Sequence, residues 1–207
     1  MADKFQNKYR IASSRLPNWD YGSNAVYFVT ICTHNRYFYF GKISDGNIQL
    51  SETGKIAMQC WIEIPNHFPF VELDEFVVMP DHVHGIVFIN KSRNRNNDND
   101  RRDAINRSTN TNTPTKILND IESELKPSIE KTGGFAGSKN PMLNDNLSRI
   151  IRWYKGRVSF ETRKINQKFA WQPRFYDRII RDEIAYHQIL IYIQNNPLNW
   201  RETNLLY

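Results

Sequence analysis

The sequence predicts an α+β fold in which a ferredoxin-like or RRM-like antiparallel sheet carries helices packed on one face. Apolar runs of strand length alternate with amphipathic segments of helical period, a pattern that would also allow a parallel sheet. A tight connection at Pro80 and Asp81 joins two of the strand runs. Parallel neighbours need a crossover of about a dozen residues or more, so this connection favours antiparallel pairing.

The first half of the chain supplies a strand, a hairpin and a helix. Ala25 to Thr33 is rich in β-branched and aromatic residues and predicts a buried strand. Tyr37 to Leu50 predicts a short hairpin, with turn residues at Ser44 to Asn47. Lys55 to Ile64 has apolar residues at helical spacing, and Pro65 is expected to end that helix.

The second half supplies two more strands and two helices. Val71 to Met79 and Val83 to Asn90 predict a strand pair on either side of the tight connection. Leu147 to Ile165 predicts a basic amphipathic helix, and Asp182 to Asn195 predicts a last helix that stops before Pro197. The segment between these two helices receives no assignment.

A polar insertion at about 91–145 separates the two halves of the predicted fold. Lys91 to Thr115 is composed mainly of Asn, Arg, Asp, Ser and Thr, which predicts a flexible loop because little apolar surface is available for burial. Ile117 to Ile129 could form a short helix, and Gly133 to Lys139 is again typical of a loop. We therefore expect residues 1–207 to form one domain with this insertion.

Composition points to a polyanionic partner. The formal net charge is +6, and 12 Phe, 10 Tyr and 5 Trp accompany the basic residues, a combination suited to a groove for single-stranded nucleic acid. Cys32 and Cys60 are far apart and outside any Cys-x-x-Cys motif, which fits a reducing compartment. Without an apolar signal core or an apolar run of membrane-spanning length, we expect a cytoplasmic protein with no membrane partner.

His82 and His84 form the one clustered pair of metal-ligand side chains. Alternation along a strand places both imidazoles on one face, where they could bind the same ion, although an isolated His-x-His is often only structural. Gly85 leaves space beside the pair, which suggests close approach of a ligand or of another backbone. The remaining histidines have no metal-ligand spacing to this pair, so a third ligand must come from elsewhere; they are His34, His67 and His187.

Three separated motifs, in this order, give the sequence a family resemblance. They are Tyr27 to Thr33 (Tyr-Phe-Val-Thr-Ile-Cys-Thr), Val77 to His84 (Val-Val-Met-Pro-Asp-His-Val-His) and the segment from Phe169 to Trp200. Together they resemble the REP-associated tyrosine transposases, which belong to the HUH single-tyrosine class. The resemblance covers most of the chain outside the insertion. Asp81 departs from the family, which commonly has Asn before the first histidine.

The resemblance implies the roles of the site residues. The family's Tyr-Ile-x-x-Asn-Pro signature matches Tyr192 to Pro197 and makes Tyr192 the nucleophile. His82 and His84 become metal ligands, with Asn196 as the third and Mg²⁺ or Mn²⁺ as the ion. Alternatives remain open: Asn195 or Gln188 as third ligand, and Tyr186, Tyr176 or Tyr154 as nucleophile.

The implied activity is metal-dependent cleavage and rejoining of single-stranded DNA through a covalent 5′-phosphotyrosine intermediate, as in DNA transposition. Single-stranded or hairpin DNA is the expected partner, and the resemblance also allows a homodimer. The alternatives are a non-catalytic protein that binds single strands or hairpins, and a metal-dependent nuclease that uses water as nucleophile. The basic side chains expected to face DNA are Arg149, Arg152, Lys155, Arg174 and Arg178.

Overall fold

The computed structural model describes residues 4–5, 8–9, 16, 19–91 and 144–200. The predicted loop from Lys91 to Thr115, apart from Lys91 itself, and the short helix predicted at Ile117 to Ile129 lie outside these residues, as does the loop predicted from Gly133 to Lys139. The elements in chain order are β1 (Lys4–Phe5), β2 (Lys8–Tyr9), β3 (Ala25–Cys32), β4 (Gly41–Ser44), β5 (Asn47–Leu50), α1 (Glu52–Ile62), α2 (Ile64–His67), β6 (Val71–Met79), β7 (His82–Ile89), α3 (Leu147–Thr162), β8 (Tyr176–Ile180) and α4 (Glu183–Asn195).

The central sheet has four antiparallel strands in the order β6-β7-β3-β8. Along the chain, β3, α1, β6, β7, α3 and β8 alternate in the ferredoxin-like βαββαβ order. The predicted fold class is therefore confirmed. The tight connection at Pro80 and Asp81 joins antiparallel neighbours, as expected.

The strand β8 fills the segment that the sequence left unassigned. Tyr176–Ile180 pairs with β3 alone and is an edge strand of the sheet. Tyr176 and Arg178 are exposed and Ile180 is the one buried residue of this strand, so the apolar alternation that marks a strand is weak here. Pairing with β3, not local pattern, makes this segment a strand.

Local sequence explains how the other elements begin and turn. The hairpin β4–β5 turns at Asp45 and Gly46, whose φ values of 51° and 72° suit a two-residue turn of type I′. Helix α1 is capped by Ser51, whose side chain accepts a hydrogen bond from the backbone N–H of Gly54. It ends at Ile62, and Pro65 then lies in the first turn of α2, where a missing N–H costs little.

The larger core lies between the sheet and the layer formed by α1 and α3. Tyr27, Val29 and Ile31 of β3 are fully buried and face this layer. Gly85 also faces it, because a Cβ added there would lie 2.3 Å from the Trp61 ring. The expectation that Gly85 makes room for a ligand is therefore wrong: the missing side chain makes room for the indole of α1.

Helix α4 packs on the opposite face of the sheet, so helices cover both faces and not the one face that the sequence predicted. Ile189 and Ile193 are buried there against Ile86 and Ile180. Alternation along β7 puts His82 and His84 on this same face as Ile86. The last helix therefore covers the side of the sheet that carries the histidine pair.

Candidate active site

The histidine pair sits at the start of β7, beneath the end of α4. His82 and His84 are only 4% and 5% exposed, and their Nε2 atoms lie 2.9 Å apart. Strand pairing places Cys32 opposite His82 and Thr30 opposite His84. Both imidazoles therefore point to one place, as the alternation in the sequence predicted.

Asp81 fixes the orientation of the first imidazole. Oδ1 of this buried carboxylate lies 2.5 Å from Nδ1 of His82, and Oδ2 lies 2.6 Å from Nε of Arg36. A carboxylate can only accept, so Nδ1 of His82 carries a proton and Nε2 is the ring nitrogen that faces the cleft. Arg36 reaches the carboxylate from a turn in which Asn35 and Arg36 have φ values of 50° and 57°.

Thr30 supports the second imidazole in either tautomer. Its Oγ1 lies 2.8 Å from Nδ1 of His84. If the hydroxyl donates, Nε2–H of His84 can donate to His82; if it accepts, Nδ1 carries the proton and Nε2 has a free lone pair. Burial, followed by the nearby His82 and Arg36, lowers the pKa of His84 to about 3. The neutral form that a metal ligand requires is therefore favoured.

Tyr192 reaches the histidines from α4. Its hydroxyl lies 3.3 Å from Nε2 of His84, and its ring meets Phe28 edge to face with a centroid distance of 6.0 Å. The residue remains 49% exposed, although its hydroxyl contacts a buried histidine. Asn196, four residues on, keeps helical backbone angles at the end of α4 and donates its backbone N–H to the Ile193 carbonyl.

One cleft of about 450 Å³ brings the predicted ligands and nucleophile together. Its walls include His82, His84, Tyr192 and Asn196. Sequence reasoning did not assign a role to the other lining residues, apart from naming Tyr176 as a rival nucleophile; they are Thr30, Cys32, Arg36, Tyr176, Asn199 and Trp200. Strand alternation could have indicated Thr30, whereas Arg36 gives no sequence signal because its turn depends on the fold.

The structure separates most of the alternative site residues from this cleft. Tyr154 is fully buried on the α1–α3 side and donates its hydroxyl to the Ala57 carbonyl. The hydroxyl of Tyr186 donates to Asp74, an interaction that raises the pKa of this tyrosine. Tyr176 lines the cleft and stays an alternative nucleophile.

The alternative ligands are less well placed than Asn196. Asn195 is exposed and is not among the residues that line the cleft, and Gln188 lines a neighbouring cavity. The other histidines do not line the cleft either: His34, His67 and His187 are exposed, and the ring of His67 stacks on Trp153.

The basic residues predicted to face DNA are distributed over several surfaces. Arg149 and Arg152 line a groove on the outer side of α3, across the sheet from the histidines. The ammonium of Lys155 donates to the carbonyls of Gln172 and Arg174, each at 2.8 Å, and burial lowers its pKa. This side chain therefore anchors the segment before β8, and its contact with DNA stays a prediction.

Arg174 lies just before β8, and Arg178 lies within this strand. Arg174 is exposed and adopts a positive φ of 68° just before β8. Arg178 is exposed on β8 and stands beside Phe28, on the face of the sheet that α4 covers. Of the five predicted DNA-facing residues, Arg178 is the one that lines a cavity containing Tyr192.

The cleft has a donor set that suits a divalent ion. Within the described part of the chain, no three His, Cys, Asp or Glu side chains are grouped so as to hold a metal. Two imidazoles are nevertheless present, and the Nδ1 atom of each has a hydrogen-bond partner, Asp81 for His82 and Thr30 for His84. Asn196 lines the same cleft and could add an amide oxygen. Such a set leaves positions open for substrate oxygen and suits Mn²⁺ better than Mg²⁺, which prefers oxygen ligands.

Comparison with solved structures identifies the fold. Over 90% of this chain and 73% of the other, the structure resembles a REP-associated tyrosine transposase bound to a REP hairpin, with a TM-score of 0.51 and 18% sequence identity. The chain therefore has the fold of that transposase, as the sequence motifs predicted. At this identity the likeness concerns the fold alone.

A curated relative shows the family. An uncharacterized protein from Haemophilus influenzae is 32% identical over 194 residues, which cover 93% of this chain and 91% of that protein. The chain belongs to the same family as this Haemophilus influenzae protein. No family model matches the sequence. Among the described helices, none has the length and apolar character needed to cross a membrane.

Proposed function

We propose that this protein cleaves and rejoins single-stranded DNA in a metal-dependent reaction that forms a covalent bond between Tyr192 and a 5′ phosphate. The observation that carries the proposal is the 3.3 Å distance between the hydroxyl of Tyr192 and Nε2 of His84, inside the cleft that also contains His82 and Asn196. A nucleophile beside a pair of metal-ligand side chains is what phosphoryl transfer requires. The transposase that shares the fold was solved with a DNA hairpin, which supports DNA as substrate.

In the proposed reaction, the phenolic oxygen of Tyr192 attacks the phosphorus of a DNA phosphodiester. The new oxygen–phosphorus bond forms as the bond to the 3′ oxygen breaks; the phenolic proton leaves to solvent and the 3′ oxygen takes up a proton. The free 3′ hydroxyl of a second strand can then attack the phosphotyrosine and restore the phenol. Because each step exchanges one phosphoester for another, the enzyme can rejoin DNA without ATP.

His82, His84 and Asn196 would hold the divalent ion, which when bound polarises the phosphate and stabilises the leaving oxygen. Asp81 keeps the Nε2 lone pair of His82 aimed at the cleft. The guanidinium of Arg36, 41% exposed and lining the cleft, can contact a phosphate while its Nε stays bonded to Asp81. The buried carboxylate of Asp81 therefore orients both His82 and Arg36 in the cleft.

The test is covalent capture of DNA on the protein. A labelled DNA hairpin with a single-stranded tail is incubated with the protein and Mn²⁺, and the products are separated under denaturing conditions. We expect a labelled protein species whose DNA-linked peptide contains Tyr192. Tyr192→Phe keeps the packing against Phe28 and removes the hydroxyl, so it should abolish the adduct.

Tyr176→Phe is the matched control, because it removes the other tyrosine hydroxyl of the cleft. An adduct that maps to Tyr176 would make Tyr176 the nucleophile and leave the proposed mechanism unchanged. Cleavage without any adduct, unchanged in Tyr192→Phe, would indicate a nuclease that uses water. Binding of hairpins without cleavage in the presence of any divalent metal tested would indicate a non-catalytic binding protein.

A further inference from the structure

A second cavity opens on the other side of Tyr192. It has a volume of about 370 Å³ and lies between β3, β8 and α4. It shares Thr30, Tyr176 and Tyr192 with the cleft that contains the histidines. The residues that line this second cavity and do not line the cleft are Phe28, Asp177, Arg178, Gln188 and Ile189. A DNA strand with a phosphate at Tyr192 would thus have a nucleotide within reach of this cavity.

The walls of the cavity are set by strand register and helix periodicity. Tyr176 pairs with Thr30 and Arg178 pairs with Phe28, so these side chains stand on the face of the sheet that α4 covers. Gln188 and Tyr192 are four residues apart on α4 and share one side of that helix. The lining of the cavity therefore combines the rings of Phe28, Tyr176 and Tyr192 with the polar ends of Arg178 and Gln188.

Those polar ends are available to a ligand. Among the described residues, no carboxylate forms an ion pair with Arg178, and no side chain or backbone group bonds the amide of Gln188. The neighbouring Asp177 also contributes to the wall of the cavity, but it is opposite Val29 and interacts electrostatically with Tyr27, which places its side chain on the other face of the sheet. Tyr176 is 56% exposed, a large aromatic surface at the mouth of the cavity.

We propose that this cavity binds the base of a nucleotide flanking the cleaved phosphate, and that the base is guanine; this inference rests on the function proposed above. A planar base can stack on the rings of Tyr176 and Phe28, an interaction typical of single-strand recognition. The guanidinium of Arg178 presents parallel N–H donors that match O6 and N7 of guanine. Gln188 alone would instead favour adenine, so Arg178 decides the preference.

The first experiment measures binding without cleavage. A single guanine is moved through a fluorescent thymine oligonucleotide, and its affinity for the metal-free protein is measured at each position. At the best position, 7-deazaguanine, which lacks the N7 acceptor, should weaken binding about 10-fold. In Arg178→Ala the guanine and 7-deazaguanine oligonucleotides should bind equally. Arg157→Ala makes the same charge change on the outer side of α3 and should keep the difference.

The second experiment measures cleavage of hairpin substrates that carry each base in turn at the two positions flanking the cut. The wild-type protein should favour guanine at one of them by about 10-fold or more, and Arg178→Ala should lose that preference. Cleavage with equal rates for all bases, or a preference that Arg178→Ala retains, would overturn the inference and leave the proposed function standing. A preference for adenine that is lost in Gln188→Ala would also overturn it.

The two experiments distinguish failure of the proposed function from failure of the base-binding proposal. If no substrate is cleaved and yet 7-deazaguanine weakens binding only when Arg178 is present, the proposed function fails and the base-binding cavity remains. If neither the affinities nor the rates depend on the base, the cavity does not recognise bases.

Discussion

Oδ1 of Asp81 lies 2.5 Å from Nδ1 of His82, on the face of the sheet that α4 covers. The second oxygen of the same carboxylate is held by Arg36. This arrangement fixes the tautomer of His82 and aims its Nε2 at the cleft, as carboxylates hydrogen-bonded to a ligating histidine do in metal sites. Asp81, which stands where the transposases that the sequence resembles commonly have Asn, therefore has a structural role beside the candidate ligands.

The first prediction concerns Asp81 as a positioning residue. Asp81→Ala should lower the Mn²⁺ affinity of the protein about 10- to 100-fold, because His82 loses the partner that orients it. Asp81→Asn should lose less, since its amide oxygen still accepts from Nδ1. Calorimetric titration of Mn²⁺ measures both, with Asp145→Asn as a control far from the cleft. Equal affinities for wild type and Asp81→Ala would show that the carboxylate has no part in metal binding.

The second prediction concerns the ligands themselves. Replacing both His82 and His84 by Ala should abolish measurable Mn²⁺ binding, because the described residues offer no other imidazole pair on one side of a strand. His67→Ala is the matched control, since this histidine is exposed and stacks on Trp153. Unchanged Mn²⁺ affinity in the double variant would place the metal elsewhere in the chain.

The third prediction concerns pH and stability of the metal-free protein. Burial lowers the pKa of His84 to about 3, whereas an unfolded histidine titrates near 6.5. Between these values the unfolded chain binds the extra proton, so this contribution to stability is complete above pH 6.5 and is lost as the pH falls towards 3. The loss approaches about 1.4 kcal/mol per pH unit.

Denaturant unfolding at pH 7, 6, 5 and 4 in the presence of a chelator measures this slope. His84→Gln should unfold with a shallower pH dependence than wild type over the same range. Identical slopes for the two proteins would mean that His84 is not the group that resists protonation.

The fourth prediction uses two glycines to test the packing of Trp61. Gly85→Ala should destabilise the protein by about 1–3 kcal/mol, because the new methyl group would meet the indole at 2.3 Å. Gly156→Ala should be neutral or stabilise by about 0.5–1 kcal/mol, since that site in α3 has no neighbour within 4 Å and alanine favours the helix. Thermal and denaturant unfolding compare the two. A stable Gly85→Ala protein would contradict the close approach of Trp61.

The fifth prediction concerns Arg149 and Arg152, which lie across the sheet from the cleft. If they contact the duplex stem of a hairpin, their double replacement by Ala should weaken hairpin binding and lower the salt slope by roughly 0.9 per lost phosphate contact. Affinity is measured from about 50 to 200 mM salt by fluorescence anisotropy. An unchanged slope would confine the DNA contacts to the α4 side of the sheet.

Much of the fold and site follows from local sequence. Apolar runs of strand length predicted β3, β6 and β7, and the alternation of side chains along a strand put His82 and His84 on one side of β7. Turn chemistry determined the hairpin at Asp45 and Gly46. The family signature, not periodicity, selected Tyr192 and Asn196, and the tertiary structure then brought them into the cleft of the histidines.

Only the tertiary structure decided which face of the sheet α4 covers, and therefore which tyrosine approaches the histidines. The same holds for β8, which is a strand because β3 pairs with it, and for Gly85, whose missing side chain accommodates Trp61 from another element. Lys155, basic like its neighbours in sequence, turns inward because two backbone carbonyls accept from it. These outcomes depend on contacts between residues far apart in the chain, and periodicity, charge and turn chemistry describe only neighbours.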